Sequence, residues 1–203
     1  MATTTVEEFR GTDNLVIAEV TKDDIDGITW GAVEKLAPVA EIAKTTETSS
    51  DTKYYDNKAA LVIQGEGADT ITLTISALNL ETLAKITGKE YDATTGAFMD
   101  GEGKTKYFAL GYVVDLIGDK PGKRYVWRYK GSFNIPDETS QTKNGGTDSN
   151  NQSLTYTGIS TNYKFEKTGA TGKALVVDEA DNKANLSTFF EAVTTCDTLQ
   201  AKQ

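Results

Sequence analysis

The fold of this chain is decided by residues 106–134, KYFALGYVVDLIGDKPGKRYVWRYKGSFN. The first half of this stretch places an apolar residue at every second position, which is the period of a β-strand. These residues are Phe108, Leu110, Tyr112, Val114 and Leu116. Residues 118–123 then combine glycine, aspartate and proline, which favours a tight reversal. The stretch therefore predicts two long strands joined by a turn.

The second predicted strand has an aromatic face and a cationic face. The aromatic residues are Tyr125, Trp127, Tyr129 and Phe133. The cationic residues are Arg124, Arg128 and Lys130. We expect the aromatic face to pack into a core, since large aromatic side chains bury much apolar area. Because the chain as a whole is acidic, we expect the three cations to pair with acidic groups across a contact between subunits.

Residues 69–76, DTITLTIS, predict a second strand with two distinct faces. Ile71, Leu73 and Ile75 alternate with Thr70, Thr72 and Thr74. The period then changes to that of a helix, with Asn79 as the predicted N-cap and Gly88 as the predicted C-cap. Glu81 and Lys85 have the i,i+4 spacing of a helical ion pair. Residues 185–193 fit either a short helix or a terminal strand.

The remaining segments predict one domain with polar extensions. Residues 1–13 are expected to form a flexible N-terminal arm, residues 14–195 a single domain, and residues 196–203 a C-terminal tail. Two segments with polar composition predict long loops, at 44–58 and 137–153. A hairpin is expected between 59–63 and 69–76, with its turn at residues 65–67.

Composition favours a β-rich domain and limits its partners. Of the 203 residues, 38% are hydrophobic and only three are proline, while β-branched residues fill the periodic segments, as is typical of strands. The net charge of −9 argues against a protein that binds nucleic acid tightly, because affinity for the phosphate backbone comes from clustered cations. The N-terminus lacks the pattern of a secretory signal and no apolar run has the length of a membrane anchor. We therefore expect assembly in a cytoplasm.

The residue types that are absent exclude several chemistries. The chain has no histidine, so Ser-His-Asp and Cys-His mechanisms and histidine-bound metals are excluded. The single cysteine, Cys196, cannot form an internal disulfide or a zinc cluster. The acidic run 23–26 lacks the ligands of an EF-hand, because Lys22 and Val33 occupy the positions of its first and last acidic groups. Residues 118–124 fail the spacing of a phosphate-binding loop. No catalytic residue, cofactor or metal site is predicted.

Several of these segments resemble the major tail proteins of long-tailed, non-contractile phages of Gram-positive hosts. The resemblance lies in FALGY at 108–112, in the turn at 118–124 and in the aromatic strand that ends in GSFNIP at 131–136. It extends upstream to Tyr55-Asp56-Asn57 and downstream to LTYT at 154–157 and to Phe189-Phe190, so that it covers residues 10–195.

The resemblance implies a fold and a function. The fold would be mainly β, or β-rich α+β, as a β-sandwich or partial barrel with one flanking α-helix. The protein would be a structural subunit of the virion tail whose rings, expected to be hexameric, stack into a tube through which DNA passes without specific binding. Its partners would be further copies of itself and the tape measure, tail terminator and distal tail proteins, all assembled in the host cytoplasm.

The resemblance also implies roles for particular residues. Strands with threonine on one face suit a polar bore, so Thr70, Thr72 and Thr74 are predicted to face the lumen. The polar segment 44–58 is predicted to join successive rings. Within it, the predicted contact residues are Thr45, Glu47, Asp51, Lys53 and Tyr54.

Two alternatives stay open on sequence alone. The aromatic residues Tyr125, Trp127 and Tyr129 fit the stacking platform of a carbohydrate-binding module, and a β-sandwich of this kind could also bind another protein. The second alternative is the tube protein of a phage-derived bacteriocin or of a contractile tail, which would share most of these sequence features.

Overall fold

A computed structural model describes residues 5–140 and 150–202. This part of the chain forms eleven strands, one α-helix and one short 3-10 helix, Glu179–Asp181. The strands are β1 (Glu7–Asp24), β2 (Gly27–Trp30), β3 (Glu34–Lys35), β4 (Val39–Tyr55), β5 (Lys58–Ile75), β6 (Glu90–Asp92), β7 (Ala97–Met99), β8 (Phe108–Gly118), β9 (Gly122–Phe133), β10 (Gln152–Gly158) and β11 (Ala174–Asp178). The α-helix is α1 (Leu80–Thr87).

Nine of the strands form one antiparallel sheet. Its main path runs β2-β1-β8-β9-β10-β5-β4, while β11 pairs with the first half of β9 and β3 pairs with β1. Strands β6 and β7 form a separate small hairpin. The sheet curves but does not close into a barrel. The prediction of a mainly β fold with one flanking helix is confirmed.

The predicted hairpin at 106–134 is present as β8 and β9, and it is buried on both faces. One face belongs to the inner core, formed by Leu15, Ile17, Leu36, Ile71, Leu73, Ile75, Ile86, Phe108, Leu110, Tyr112, Val126, Leu154 and Tyr156. The other face belongs to the outer core, formed by Val16, Ala18, Ala109, Trp127, Tyr129, Phe165, Phe189 and Val193. The C-terminal segment after β10 covers this second face.

A register shift in the β8–β9 pair changes which residues share a face. Leu110 pairs with Arg128, but Phe108 pairs with Gly131, so β9 has one extra residue between these pairs. The extra residue turns the end of the strand over. Phe133 therefore packs against the inner core, and the prediction that it shares a face with Trp127 is wrong.

Residues 44–58 do not form a loop. They lie in β4 and β5, which pair along almost their whole length as one long hairpin. Its turn is Asp56-Asn57, and both residues have positive φ, at 48° and 60°, as a two-residue hairpin turn requires. The predicted turn at 65–67 is also wrong, because these residues lie inside β5. The error has a physical reason: this part of the hairpin is exposed on both faces and needs no apolar alternation.

Both ends of the predicted domain extend further than the sequence indicated. Residues 7–13, assigned to a flexible arm, pair with β8 as the first part of β1. Residues 196–202 are not a separate tail, because Cys196 and Leu199 pack against the outer core. The segment 185–193 forms turns rather than a helix or a strand. Of the polar loop predicted at 137–153, residues 141–149 lie outside the described residues.

The helix begins and ends where the sequence predicts. The Asn79 side chain accepts a hydrogen bond of 2.7 Å from the backbone N–H of Thr82, and Gly88 has the left-handed conformation that ends the helix. The expected pair between Glu81 and Lys85 is replaced by a longer-range one, since Lys85 Nζ lies 2.6 Å from a Glu34 carboxylate oxygen. This contact ties α1 to β3.

Candidate assembly surfaces

A hydroxyl-rich face covers three neighbouring strands of the sheet. Paired residues of an antiparallel sheet share a face, so the register of β4, β5 and β10 defines its members. They are Thr45, Thr70, Thr72, Thr74, Ser153, Thr155 and Thr157, and we call this set the hydroxyl face. All seven side chains are exposed or half-buried. The only charged residue in the same rows is Glu41, which pairs with Thr74.

The three threonines predicted to line a lumen thus lie together at the centre of this face. Their neighbours Ile71, Leu73 and Ile75 are fully buried in the inner core. The sequence did not identify Thr155 and Thr157, although their alternation with buried Leu154 and Tyr156 repeats the pattern of β5. The role of the face in a lumen stays a prediction.

The distal part of the β4–β5 hairpin extends away from both cores. Tyr54 and Tyr55 are 68% and 65% exposed, and the opposite strand has Leu61, Val62 and Ile63 at 50–55% exposed. We call residues 47–66 the hairpin tip. Such a concentration of exposed apolar side chains is unusual on a free surface and is typical of an interaction site.

The residues predicted to join successive rings all lie on this hairpin. Thr45 lies at its base and pairs with Thr70, whereas Glu47 packs beside Gly67. Farther out, Lys53 forms a 2.5 Å ion pair with Asp51. The sequence missed the apolar residues of β5, because it placed them in a separate short hairpin. The available signal was the Asp56-Asn57 dipeptide, because Asp and Asn tolerate the positive φ that a two-residue turn needs.

The three cations of β9 are not free. The Arg124 guanidinium donates two hydrogen bonds, of 2.6 and 2.8 Å, to Asp178, and these bonds lower the pKa of that carboxyl. Lys130 Nζ lies 2.6 Å from an Asp23 carboxylate oxygen, and both side chains are about nine-tenths buried or more. The premise of an open cationic face is therefore wrong. Contact between these side chains and another subunit stays a prediction.

Arg128, the third cation, belongs to a cluster around the buried carboxylate of Asp69. Arg128 Nη1 donates a 2.9 Å hydrogen bond to Asp69 Oδ2, and Thr46 Oγ1 donates one of 2.8 Å to Oδ1. The ammonium groups of Lys44 and Lys173 lie 3.8 and 3.9 Å from the same carboxylate. One buried carboxylate thus faces three cations, and it links β4, β5 and β9 to the segment that leads into β11.

The aromatic stripe of β9 cannot serve as a sugar-binding platform. Trp127 is fully buried, Tyr129 is 2% exposed, and the Trp127 indole N–H donates to the carbonyl of Phe189. Tyr125 packs against Phe189 and Phe190, at ring-centroid distances of 5.4 and 5.8 Å. Burial also raises the pKa of the Tyr129 hydroxyl. Burial confirms the prediction of core for Trp127 and Tyr129, whereas Tyr125 is partly buried at the margin of the outer core.

A cleft separates β1 from β4 at the open side of the sheet. It has a volume of about 540 Å³ and is lined mainly by apolar surface. Phe9 and Thr12 line it on β1 and Ile42 and Lys44 on β4, while Val126 on β9 forms part of its floor. Within residues 5–140 and 150–202, no group of three or more acidic or cysteine side chains is arranged to hold a metal ion. In the same part of the chain, no helix has the length and apolar character needed to span a membrane.

Comparison with known families identifies the class of protein. The model of one family, described as phage tail tube protein, matches residues 10–195. Because the match covers nearly the whole chain, the protein belongs to the phage tail tube protein family. It is a structural protein of the virion tail rather than an enzyme, and it assembles with further copies and other tail proteins into a tube. A comparison with curated protein sequences found no match.

The Asp69 cluster gives a prediction about stability. Asp69→Asn would keep the shape of the side chain but leave buried Arg128 without its counter-charge, so we expect a loss of about 3–5 kcal/mol in the free energy of unfolding. Glu66→Gln is the matched control, because Glu66 also faces Lys173, at 3.7 Å, but is 74% exposed. It should change stability by less than about 0.5 kcal/mol. Urea unfolding of the unassembled protein measures both values, and equal effects would contradict the structural role of Asp69.

Proposed function

We propose that the chain assembles into closed rings, expected to be hexameric, that stack into the tail tube, and that the hydroxyl face lines the bore through which DNA leaves the virion. The family match supports assembly into a tube. The assignment of the bore rests on one observation, the hydroxyl face. Three adjacent strands present seven hydroxyl side chains and one carboxylate to the same side.

This composition suits the passage of DNA. Cations in a bore would neutralise phosphates and hold the DNA by releasing its counterions, which is the main source of non-specific affinity. Hydroxyl groups interact with phosphate without neutralising its charge, and Glu41 repels it. The cations nearest to this region, Lys44 and Arg128, lie on the opposite face of the sheet, where Asp69 binds them. A wall of this kind lets DNA slide.

The hairpin tip is proposed to connect successive rings. None of its residues belongs to either core, and its Leu61, Val62 and Ile63 are half exposed. Burial of these side chains against a neighbouring ring would contribute about 25 cal/mol for each Å² of apolar surface removed from water. This contribution recurs at every ring contact along the tube.

Electron microscopy of the concentrated protein tests assembly. We expect hollow tubes of constant diameter with a regular axial repeat, because head-to-tail contacts between identical rings add subunits without limit. The matched comparison is a variant in which Leu61 and Ile63 are both changed to Asp, which should give rings or monomers but no long tubes. A wild-type protein that stays monomeric at high concentration would overturn the proposed function.

The lumen assignment gives a separate prediction. Phage particles with Thr72→Lys in the tube protein should eject DNA more slowly, on the order of tenfold at low salt, with the difference shrinking as salt is raised. Thr94→Lys is the control, since Thr94 lies in the exposed turn between β6 and β7. Ejection is followed by fluorescence of a DNA-binding dye. Equal rates for both variants would show that the hydroxyl face does not line the bore.

A further inference from the structure

The hydroxyl face continues from β10 onto the end of β9. In this pair Thr157 lies opposite Ser132, and Tyr156 lies opposite Phe133. Phe133 packs against the inner core, with its ring centroid 5.1 Å from that of Tyr156, so half-buried Ser132 lies on the other side of the sheet, beside Thr157. Without the extra residue in the β8–β9 pair, Ser132 would face the inner core. The bulge therefore changes β9 from an aromatic strand of the outer core into a strand of the hydroxyl face.

The chain beyond β9 follows β10 for a further four residues. The Asn134 N–H donates a 3.0 Å hydrogen bond to the carbonyl of Thr155, and the Asn134 side chain accepts one of 2.7 Å from the Thr155 N–H. Asp137 then forms a bridge with Ser153, whose carbonyl accepts a 3.2 Å hydrogen bond from the Asp137 N–H. Paired residues of antiparallel segments share a face. Asp137, which is exposed, therefore lies on the hydroxyl face.

These pairings arrange the hydroxyl face in rows that cross four neighbouring segments. One row consists only of hydroxyl residues, and these are Thr45, Thr70, Thr157 and Ser132. Another row has a carboxylate at each end and two hydroxyl residues between them. Its members are Glu41, Thr74, Ser153 and Asp137. The face thus has one carboxylate on β4 and a second carboxylate beside β10.

The spacing of the two carboxylates decides how much of the face they affect. Neighbouring strands of a sheet are about 4.8 Å apart, so Glu41 and Asp137, three spacings apart, are separated by about 14 Å. At physiological ionic strength the field of an exposed charge falls off over about 8 Å. Glu41 alone would therefore leave the β9 side of the row without a repulsive charge. Two carboxylates repel phosphate across its whole width.

We propose that residues 132–137 are part of the bore wall, and that Asp137 acts with Glu41 to set the rate at which DNA passes. This inference rests on the proposed role of the hydroxyl face. It adds a fourth segment to the wall, together with the hydroxyl of Ser132 and a second carboxylate. Asp137 repels the DNA phosphates on the side of the wall that the field of Glu41 does not reach.

Ejection of DNA from phage particles with Asp137→Lys in the tube protein tests this assignment. We expect ejection to slow by on the order of tenfold at low salt, as in Thr72→Lys particles, because the new cation attracts phosphate, and we expect the difference to shrink as salt is raised. The matched control is Glu81→Lys. It makes the same change of charge at an exposed residue of α1, which packs on the inner core on the opposite side of the sheet. Ser132→Lys is a second variant in the same segment and should also slow ejection.

The outcomes separate this inference from the function on which it rests. Slow ejection from the Thr72→Lys, Asp137→Lys and Ser132→Lys particles, with a normal rate for Glu81→Lys, supports both. Slow ejection from Thr72→Lys particles alone would remove residues 132–137 from the wall and leave the bore on the other three strands intact. Failure of both Asp137→Lys and Ser132→Lys to form tubes would do the same, since side chains that face an open bore tolerate substitution. Equal rates for all four variants would overturn the bore assignment and this inference with it.

Discussion

Burial of the β8–β9 pair on both faces is the constraint on which the rest of the structure depends. A sheet with only one covered face could be completed by a single layer, but here Leu110 and Tyr112 need an inner core while Trp127 and Tyr129 need an outer one. The side chains that form the inner core with Leu110 and Tyr112 include those from β5, β10 and α1. The side chains that cover Trp127 and Tyr129 on the other face come from the C-terminal segment. Each large side chain buried in this way contributes about 1.5–3 kcal/mol, so the centre of the sheet is where the stability is concentrated.

The same arrangement leaves the margins of the sheet outside both cores. Both cores are near the centre, and the strands at the margins, β4 and the first half of β1, extend beyond them with one backbone edge that is unpaired within residues 5–140 and 150–202. In a monomer such edges favour unwanted association. In a tube protein they are where one copy can continue the structure of the next. The hairpin tip and the cleft both lie at these margins of the sheet.

The sequence predicted those elements that bury an alternating or helical apolar pattern. β8, β9, the end of β5 and α1 all have such a pattern. The sequence therefore also predicted that the threonines alternating with Ile71 and Leu73 share the opposite face of β5. It did not predict the distal β4–β5 hairpin, because strands exposed on both faces have no apolar period. It predicted that Arg124, Arg128 and Lys130 pair with acidic groups, but it did not find the partners within the chain, because Asp178, Asp69 and Asp23 are distant in sequence. The bulge that reverses Phe133 lies next to Gly131, whose backbone approaches Tyr156 too closely for a Cβ atom, and only the folded chain brings these residues together.

We propose that assembly pairs the free edges of the sheet, and amide hydrogen exchange tests this pairing most directly. Exchange is compared between the unassembled subunit and the tube, with the β8–β9 amides as an internal reference that is protected in both states. We predict that alternate amides in residues 7–13 and 40–55 exchange quickly in the subunit and slowly in the tube, because an unpaired edge gains hydrogen bonds only when another chain joins it. Equally fast exchange of these two segments in both states would contradict the account.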